Sequence, residues 1–361
     1  MPKTLNFTAG PGALPPSVLE QAQAEFLDYQ GAGMSIMEMS HRAPEYEAIN
    51  TRAEATFKRL LGVDSGYRAL FVQGGASSQF AILPMNFLPD GGEADYIVTG
   101  TWGEKAVEEA QLLGRAHLAG STKAGGYRSV PTADQLDLSA NPAYVHLTSN
   151  ETIQGVQFAR FPDVGGTPLV ADMSSDILSR PFDASKFSLI YAGAQKNVGP
   201  AGVTVVLIRD SWLDQANPKV PTMFRYETYT KNNSLYNTPP SFGVYMLDLV
   251  LTWIEGEGGL EGMARRNSQK AAILYDAIDG SGGFYKGHAD LGSRSTMNVT
   301  FRTADESLEK RFLVEAKAER MVGLAGHRSV GGIRASIYNA IDAEACRTLA
   351  SFMADFARKA G

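Results

Sequence analysis

Lys196 stands in a glycine-rich turn between two apolar runs, at residues 189–191 and 202–208, within LIYAGAQKNVGPAGVTVVLI. Burying an unpaired ammonium is expensive. Burial also lowers the pKa of a lysine and turns its amine into a nucleophile toward carbonyls. The ordinary alternative is an exposed loop lysine. In PLVADMSSDILSRP (168–181) an apolar run ends in Asp172, followed by Ser174 and Ser175. A carboxylate at a strand end can pair with a cationic ring nitrogen, or simply cap a helix. In YRALFVQGGASSQF (67–80) a strand pattern runs through Gly74, Gly75, Ala76, Ser77 and Ser78 into a helical one. Small residues at a helix start offer free N–H groups and hydroxyls to an anion such as a phosphate. Neither GK[ST] nor GxGxxG is present. Trp102 follows the run 95–98 and suits either stacking on a flat ring or ordinary core packing.

Taken together, these residues meet the needs of one cofactor. Pyridoxal phosphate requires an amine for its aldehyde, an acid for its ring nitrogen, a cup for its phosphate and an aromatic face for its ring.

The elements that must position these groups follow from hydrophobic patterning. Short apolar runs at 67–72, 95–98, 143–147, 168–171, 189–191 and 202–208 read as buried strands. Helical segments lie among them, with helices over 17–30 after Pro15–Pro16, over 44–61 closed by Gly62, and over 103–113. Such alternation predicts a mostly parallel sheet covered by helices on both faces. After GEGG at 256–259 the texture changes. Helical 260–278, a strand at 293–301, helical 307–322, a strand at 332–337 and helical 342–359 predict a smaller α+β unit. The expected division is a large domain at 15–255 and a small one at 256–361, joined by the N-terminal segment 1–14.

Composition narrows the function classes. With 361 residues, a core needs no disulfide or metal staple. Thirty-three basic against 39 acidic residues give a net charge of −6. That argues against nucleic acid or an anionic membrane as partner. Cys346 is the only cysteine, and the five histidines show no metal-ligand spacing. The start MPKTLNFTAGPGALPP has no long apolar run and is not expected to be a signal peptide, and the apolar stretch 244–254 is too short to span a bilayer and carries Asp248. A cytoplasmic protein is expected.

Several stretches together carry a family resemblance: NFTAGPGALP (6–15), MEMSHR (37–42), GGASSQF (74–80), SNETIQG (149–155), ADMSSDILSRP (171–181), YAGAQKNVGPAG (191–202), YNTPPSF (236–242) and GHRSVGGIRASIYNA (326–340). Across essentially the whole chain the sequence resembles the phosphoserine aminotransferases, class-V members of the fold-type I pyridoxal-phosphate enzymes. The resemblance implies an α/β large domain, a smaller α+β domain and shared active sites in a homodimer. It also implies reversible amino transfer between O-phospho-L-serine and 2-oxoglutarate, giving 3-phosphohydroxypyruvate and L-glutamate, in serine biosynthesis. A role with 4-phosphohydroxy-L-threonine in pyridoxine biosynthesis goes with it.

Residue by residue, the resemblance assigns Lys196 to the Schiff base, Asp172 to the pyridine nitrogen, Trp102 to ring stacking and Thr152 to the ring oxygen. Gln195, Ala76 and Ser77 fall at phosphate-contact positions. Asn237 and Thr238 match residues reaching the phosphate from the neighbouring subunit. Arg334 matches the grip on the substrate α-carboxylate. His41, Arg42, His327 and Arg328 match a basic cluster for the substrate's phosphate or distal carboxylate. Two positions depart from some members: Ser77 stands where an arginine occurs, and Ala9 where a hydroxyl residue occurs. Two rivals remain. A cysteine desulfurase on the same fold would need Cys346 as nucleophile, and a non-catalytic pyridoxal-phosphate-binding protein would not use the substrate-side arginines.

Overall fold

Alternate residues of the central strands feed two separate apolar layers. In the strand Tyr67–Gly74, Ala69 and Phe71 join one buried cluster while Leu70 and Val72 join another. In Gly202–Arg209, Val203, Val205 and Leu207 go to the first, and Val206 and Ile208 to the second. A sheet apolar on both faces has to be covered on both. The computed structural model describes residues 4–63, 65–328 and 330–360. Met1, Pro2 and Lys3 of the N-terminal segment, Asp64, Ser329 of the GHRSVGG stretch and the final Gly361 lie outside the described residues.

The sheet has seven strands, in the order Tyr67–Gly74, Gly202–Arg209, Leu189–Gly193, Leu169–Asp172, Val145–Thr148, Glu93–Val98, Arg115–Ser121. From Leu189–Gly193 outward every pairing is parallel. Gly202–Arg209 runs antiparallel to both its neighbours, so Tyr67–Gly74 points the same way as the parallel strands. The expected mostly parallel sheet is therefore present, as a mixed sheet with one reversed strand. That arrangement brings the carboxyl ends at Gly74, Gly193, Asp172, Thr148 and Val98 to one edge, where ligands collect in open α/β sheets.

Helices Pro16–Ala24, Pro44–Leu60 and Ser241–Gly256 cover one face, and Ala76–Phe87, Thr101–Gln111 and Tyr226–Lys231 the other. Ser241–Gly256 accounts for the apolar stretch 244–254: it is a core helix packed on Pro44–Leu60. Its buried Asp248 is paired with Arg52, whose Nε lies 3.0 Å from Oδ2.

The C-terminal part builds its own core. An antiparallel sheet of Lys286–Gly287, Asn298–Arg302 and Ile333–Ser336 packs against helices Gly259–Asp279, Glu306–Ala318 and Ala343–Ala360. Phe7 of the N-terminal segment is fully buried in this core, and Leu5–Asn6 pairs in parallel with Met321–Val322. Helix Gly259–Asp279 bridges the two parts. Met263 belongs to the large core, and Ala271, Leu274 and Ile278 to the small one.

Several element boundaries differ from the sequence expectation. The first helix stops at Ala24 rather than 30. The helical pattern over 307–322 ends at Ala318, because Met321 and Val322 are claimed by the pairing with Leu5 and Asn6. The strand expected at 293–301 spans Asn298–Arg302. Arg115–Ser121 was not expected as a strand, since as an edge strand it is largely exposed and lacks an apolar run.

Candidate active site

Lys196 follows the strand Leu189–Gly193 and points into a cavity of about 360 Å³ at the carboxyl edge of the sheet. Its Nζ donates to Thr152 Oγ1 at 2.7 Å and lies 5.9 Å from the centroid of the Trp102 ring. Burial pushes the amine down to about 8. The carboxylate of Asp172 works against that shift, and the guanidinium of Arg334 adds to it. The exposed loop lysine is thereby excluded; this is an amine that is partly neutral near pH 8.

Asp172 ends the strand Leu169–Asp172 and is 4% exposed. Its Oδ1 accepts from Ser174 N at 2.8 Å and Ser174 Oγ at 2.6 Å. Burial raises its pKa, while the Ser174 donors and Lys196 hold it down. Ser174 Oγ in turn accepts from Gly193 N at 3.0 Å, which ties the strand of Asp172 to that of Lys196.

The Gly75–Ser77 turn forms another wall. Ala76 and Ser77 open the helix Ala76–Phe87, and Ser78 Oγ accepts from Gly75 N at 3.2 Å. The first-turn N–H groups of such a helix lack intrahelical partners, and here they border the cavity. Gln195 lines it too, and its carbonyl accepts from Gly12 N at 2.7 Å.

The remaining walls come from the smaller part and the N-terminal segment. Arg334, 8% exposed on the strand Ile333–Ser336, reaches toward Thr152 O (Nη1, 3.5 Å), and its Nε is buried without a partner among the described residues. His327 lines the same cavity. Burial depresses its pKa, and the charges of Arg334, Arg328 and Lys105 depress it further. Ala9 also borders the cavity, and its carbonyl is held by Tyr338 Oη at 2.6 Å. The contact that a hydroxyl side chain would supply at this position is thus confined to backbone.

A planar, phosphate-bearing group fits these polar walls. Thr148 Oγ1, Asn150 Oδ1, Trp102 Nε1 and Arg334 Nε all come from cavity-lining residues and are buried without a protein partner among the described residues. Buried polar atoms are normally satisfied, so a polar ligand accounts for such a cluster.

Of the residues singled out in the sequence, Lys196, Asp172, Trp102, Thr152, Ala76, Ser77, Gln195, His327 and Arg334 line this one cavity. His41, Arg42, Asn237, Thr238 and Arg328 do not. Thr238 and His41 instead meet each other (Oγ1 to Nδ1, 3.3 Å), with Gln73 Nε2 donating to Thr238 O at 3.1 Å. Arg42 lies with Tyr236 and Asn233 on a separate depression. Cys346 is remote, buried among the side chains of the small core, where burial pushes its thiol up to about 12. It does not meet the need of a desulfurase for a nucleophile in the cavity.

Sequence reasoning passed over Thr148, Asn150 and Glu151, and it noted Ser174 after Asp172 without giving it a role. The signal was available in SNETIQG: a polar run directly after an apolar strand needs partners once buried.

The sequence profile of the class-V aminotransferases matches residues 4–349. The phosphoserine aminotransferase of Herpetosiphon aurantiacus is 63% identical over 356 residues, covering 99% of each chain. The solved phosphoserine aminotransferase of Bacillus circulans subsp. alkalophilus is 58% identical and superposes over 100% of both chains with a TM-score of 0.98. The solved PLP-bound phosphoserine aminotransferase of Trichomonas vaginalis is 39% identical, with a TM-score of 0.92 over 97% of this chain and 99% of that one. The chain belongs to the class-V aminotransferases, in the phosphoserine aminotransferase family.

Proposed function

We propose that this enzyme binds pyridoxal phosphate and transfers an amino group reversibly between O-phospho-L-serine and 2-oxoglutarate, giving 3-phosphohydroxypyruvate and L-glutamate. The observation that carries this reading is Lys196 on Thr152 at 2.7 Å, its amine lowered to about 8, in one cavity with buried Asp172 and Arg334.

When bound, the cofactor supplies an aldehyde that condenses with amines and a ring that withdraws electrons from the substrate Cα. Lys196 is the amine that holds it. With its amine free, Lys196 Nζ would take the proton from the substrate Cα and pass it on, and a pKa near 8 would suit both acts. Asp172 would hold the protonated ring nitrogen, because a buried carboxylate that burial disfavours is stabilised by a cation beside it. Ala76, Ser77 and Gln195 would hold the cofactor phosphate, Trp102 would offer its ring face, and the Thr152 hydroxyl would serve the ring oxygen. Arg334 forks onto the α-carboxylate. His327 takes the substrate phosphate or distal carboxylate from within the cavity, and Arg328, His41 and Arg42, which stand outside the cavity of their own chain, complete the basic cluster once substrate and a neighbouring subunit are in place. An anion there would relieve the mutual repulsion that depresses His327. The phosphate and α-amino acid of 4-phosphohydroxy-L-threonine would use the same groups.

A homodimer belongs to this reading. Asn237 and Thr238 stand outside the cavity of their own chain, which fits their serving a neighbour. Phe26, Leu27, Met34 and Met37 expose apolar surface, Leu27 to 82%, and Phe26 contacts Phe242 at a ring distance of 5.9 Å, close in sequence to the Asn237 loop. Division into units at 15–255 and 256–361, joined by 1–14, is proposed on their separate cores. A cytoplasmic setting is proposed with it; among the described residues no helix is long and apolar enough to cross a membrane.

The test is the visible spectrum of the protein loaded with pyridoxal phosphate, before and after O-phospho-L-serine is added without a keto acid. The expected result is loss of the lysine-linked cofactor band and its return with 2-oxoglutarate. A band that stays unmoved by phosphoserine overturns the substrate assignment. For the dimer, mixing Lys196→Ala subunits with Asn237→Ala/Thr238→Ala subunits should restore activity, because one hybrid site is complete. No restoration overturns the shared site.

A further inference from the structure

Helix Thr101–Gln111 carries Trp102 in its first turn, yet it has no side-chain cap of its own, because its N-cap is Gly100. The first N–H groups of a helix need acceptors. Here the turn 149–155 supplies them from another part of the chain. Glu151 Oε2 accepts from Trp102 N at 3.1 Å and Oε1 from Gly103 N at 2.8 Å. Gln154 Oε1 accepts from Thr101 N at 3.4 Å, and its Nε2 donates to Thr101 Oγ1 at 2.9 Å. Glu151 is fully buried. Its seat exists only because residue 100 lacks a side chain: a Cβ on Gly100 would come within 2.5 Å of Glu151 Cδ.

The next residue in the same turn is Thr152, which accepts from Lys196 Nζ and faces Arg334. The turn thus holds Trp102 on one side and Lys196 on the other. We propose that Glu151 is a positioning residue: its buried carboxylate caps the helix of Trp102 in place of a local cap, and so fixes the indole ring relative to the Lys196 amine. Its benefit to cofactor binding rests on the stacking role given to Trp102 above.

The electrostatics agree with this geometry. Burial raises Glu151 to about 7, against the pull of the two N–H donors; Asp172 adds to the rise and Lys196 opposes it. The positive end of the helix dipole favours the carboxylate.

The experiment compares wild type, Glu151→Ala and Glu151→Gln as full-length protein, loaded with pyridoxal phosphate and after its removal. Amide hydrogen exchange in peptides covering 100–104 and acrylamide quenching of Trp102 are read, with Trp102→Phe defining the emission of Trp212 and Trp253. Glu151→Ala should exchange at Trp102 and Gly103 about tenfold to a hundredfold faster, the range for losing a hydrogen bond to a charged acceptor, with no change elsewhere in the chain. Quenching of Trp102 should rise, and affinity for pyridoxal phosphate should fall about tenfold. Glu151→Gln keeps one acceptor oxygen and should recover part of each effect, and it serves as the test if the alanine variant does not fold. Unchanged local exchange and quenching in a folded variant overturns the proposal. Equal acceleration across the whole chain overturns it too, since that is general destabilisation. Faster local exchange with unchanged cofactor affinity supports the positioning of the helix and overturns instead the stacking role of Trp102.

Discussion

Lys196 combines burial with a hydroxyl partner, and the two make opposite demands. Burial favours the neutral amine, whereas Thr152 and the carboxylates of Asp172 and Glu151 stabilise some charge. The compromise near 8 leaves about a tenth of the amine neutral at pH 7 and nearly all of it at pH 9. Rebinding of pyridoxal phosphate to the stripped protein should therefore speed up about tenfold from pH 7 to pH 9 and then level off. An unshifted lysine would keep accelerating toward pH 10, and stopped-flow absorbance distinguishes the two. Replacing Lys196 with alanine removes both the attachment and the base. Turnover should fall by at least about 10²–10⁴-fold, the share of a positioned base alone, and near-normal steady-state rates would refute the assignment.

Two contacts between elements hold the site's supports together. The core helix Ser241–Gly256 buries Asp248, and Arg52 on Pro44–Leu60 is its ion-pair partner. Arg52 is half-exposed, so the pair is partly screened. Loss of Arg52, however, leaves a buried carboxylate unpaired. Arg52→Ala should lower the unfolding free energy by about 1–3 kcal/mol, measured by urea titration. The second contact is Gly155, with φ of 69°, which closes the turn carrying Glu151 and Thr152. A Cβ there would come within 2.5 Å of Asn298 O and 2.6 Å of Thr300 Oγ1 in the smaller sheet. Gly155→Ala should cost about 2–4 kcal/mol from left-handed strain plus overpacking. It should also weaken cofactor binding, because the turn must back away from Lys196. Calorimetry and a cofactor titration check both.

The whole molecule carries an acid sensitivity in its sheet. His146, 1% exposed between strands, has Nε2 on Tyr191 Oη at 2.8 Å, and burial holds its pKa near 3 against an ordinary 6.5. The unfolded chain takes up this proton at 6.5, and the folded one only near 3. Stability therefore drains away as pH falls below 6.5, by about 2 kcal/mol at pH 5. Glu151 works in the opposite sense between about 7 and 4.5, because its raised pKa penalises the charged form. The two slopes partly cancel in the wild type. The difference between wild type and His146→Gln isolates the histidine: the variant should lose about 2 kcal/mol less between pH 7 and pH 5 in denaturant unfolding.

Lys196, Asp172, Trp102 and the Gly74–Ser78 turn were legible in the sequence because each follows an apolar strand run, and parallel strands deliver their carboxyl ends to one edge. Local patterning also determined the two-part texture and most helices, since periodicity and turn residues act over a few neighbours. Arg115–Ser121 escaped it, as an exposed edge strand defined only by its pairing with Glu93–Val98. So did the pairing of Leu5–Asn6 with Met321–Val322, whose partners are hundreds of residues apart. Which strand runs backward, which polar atoms face one another across the cavity, and that Glu151 caps a helix 50 residues upstream were decided by tertiary structure alone. These depend on distances between segments that no local pattern encodes, and their energies arise only once packing has removed water from around the buried groups.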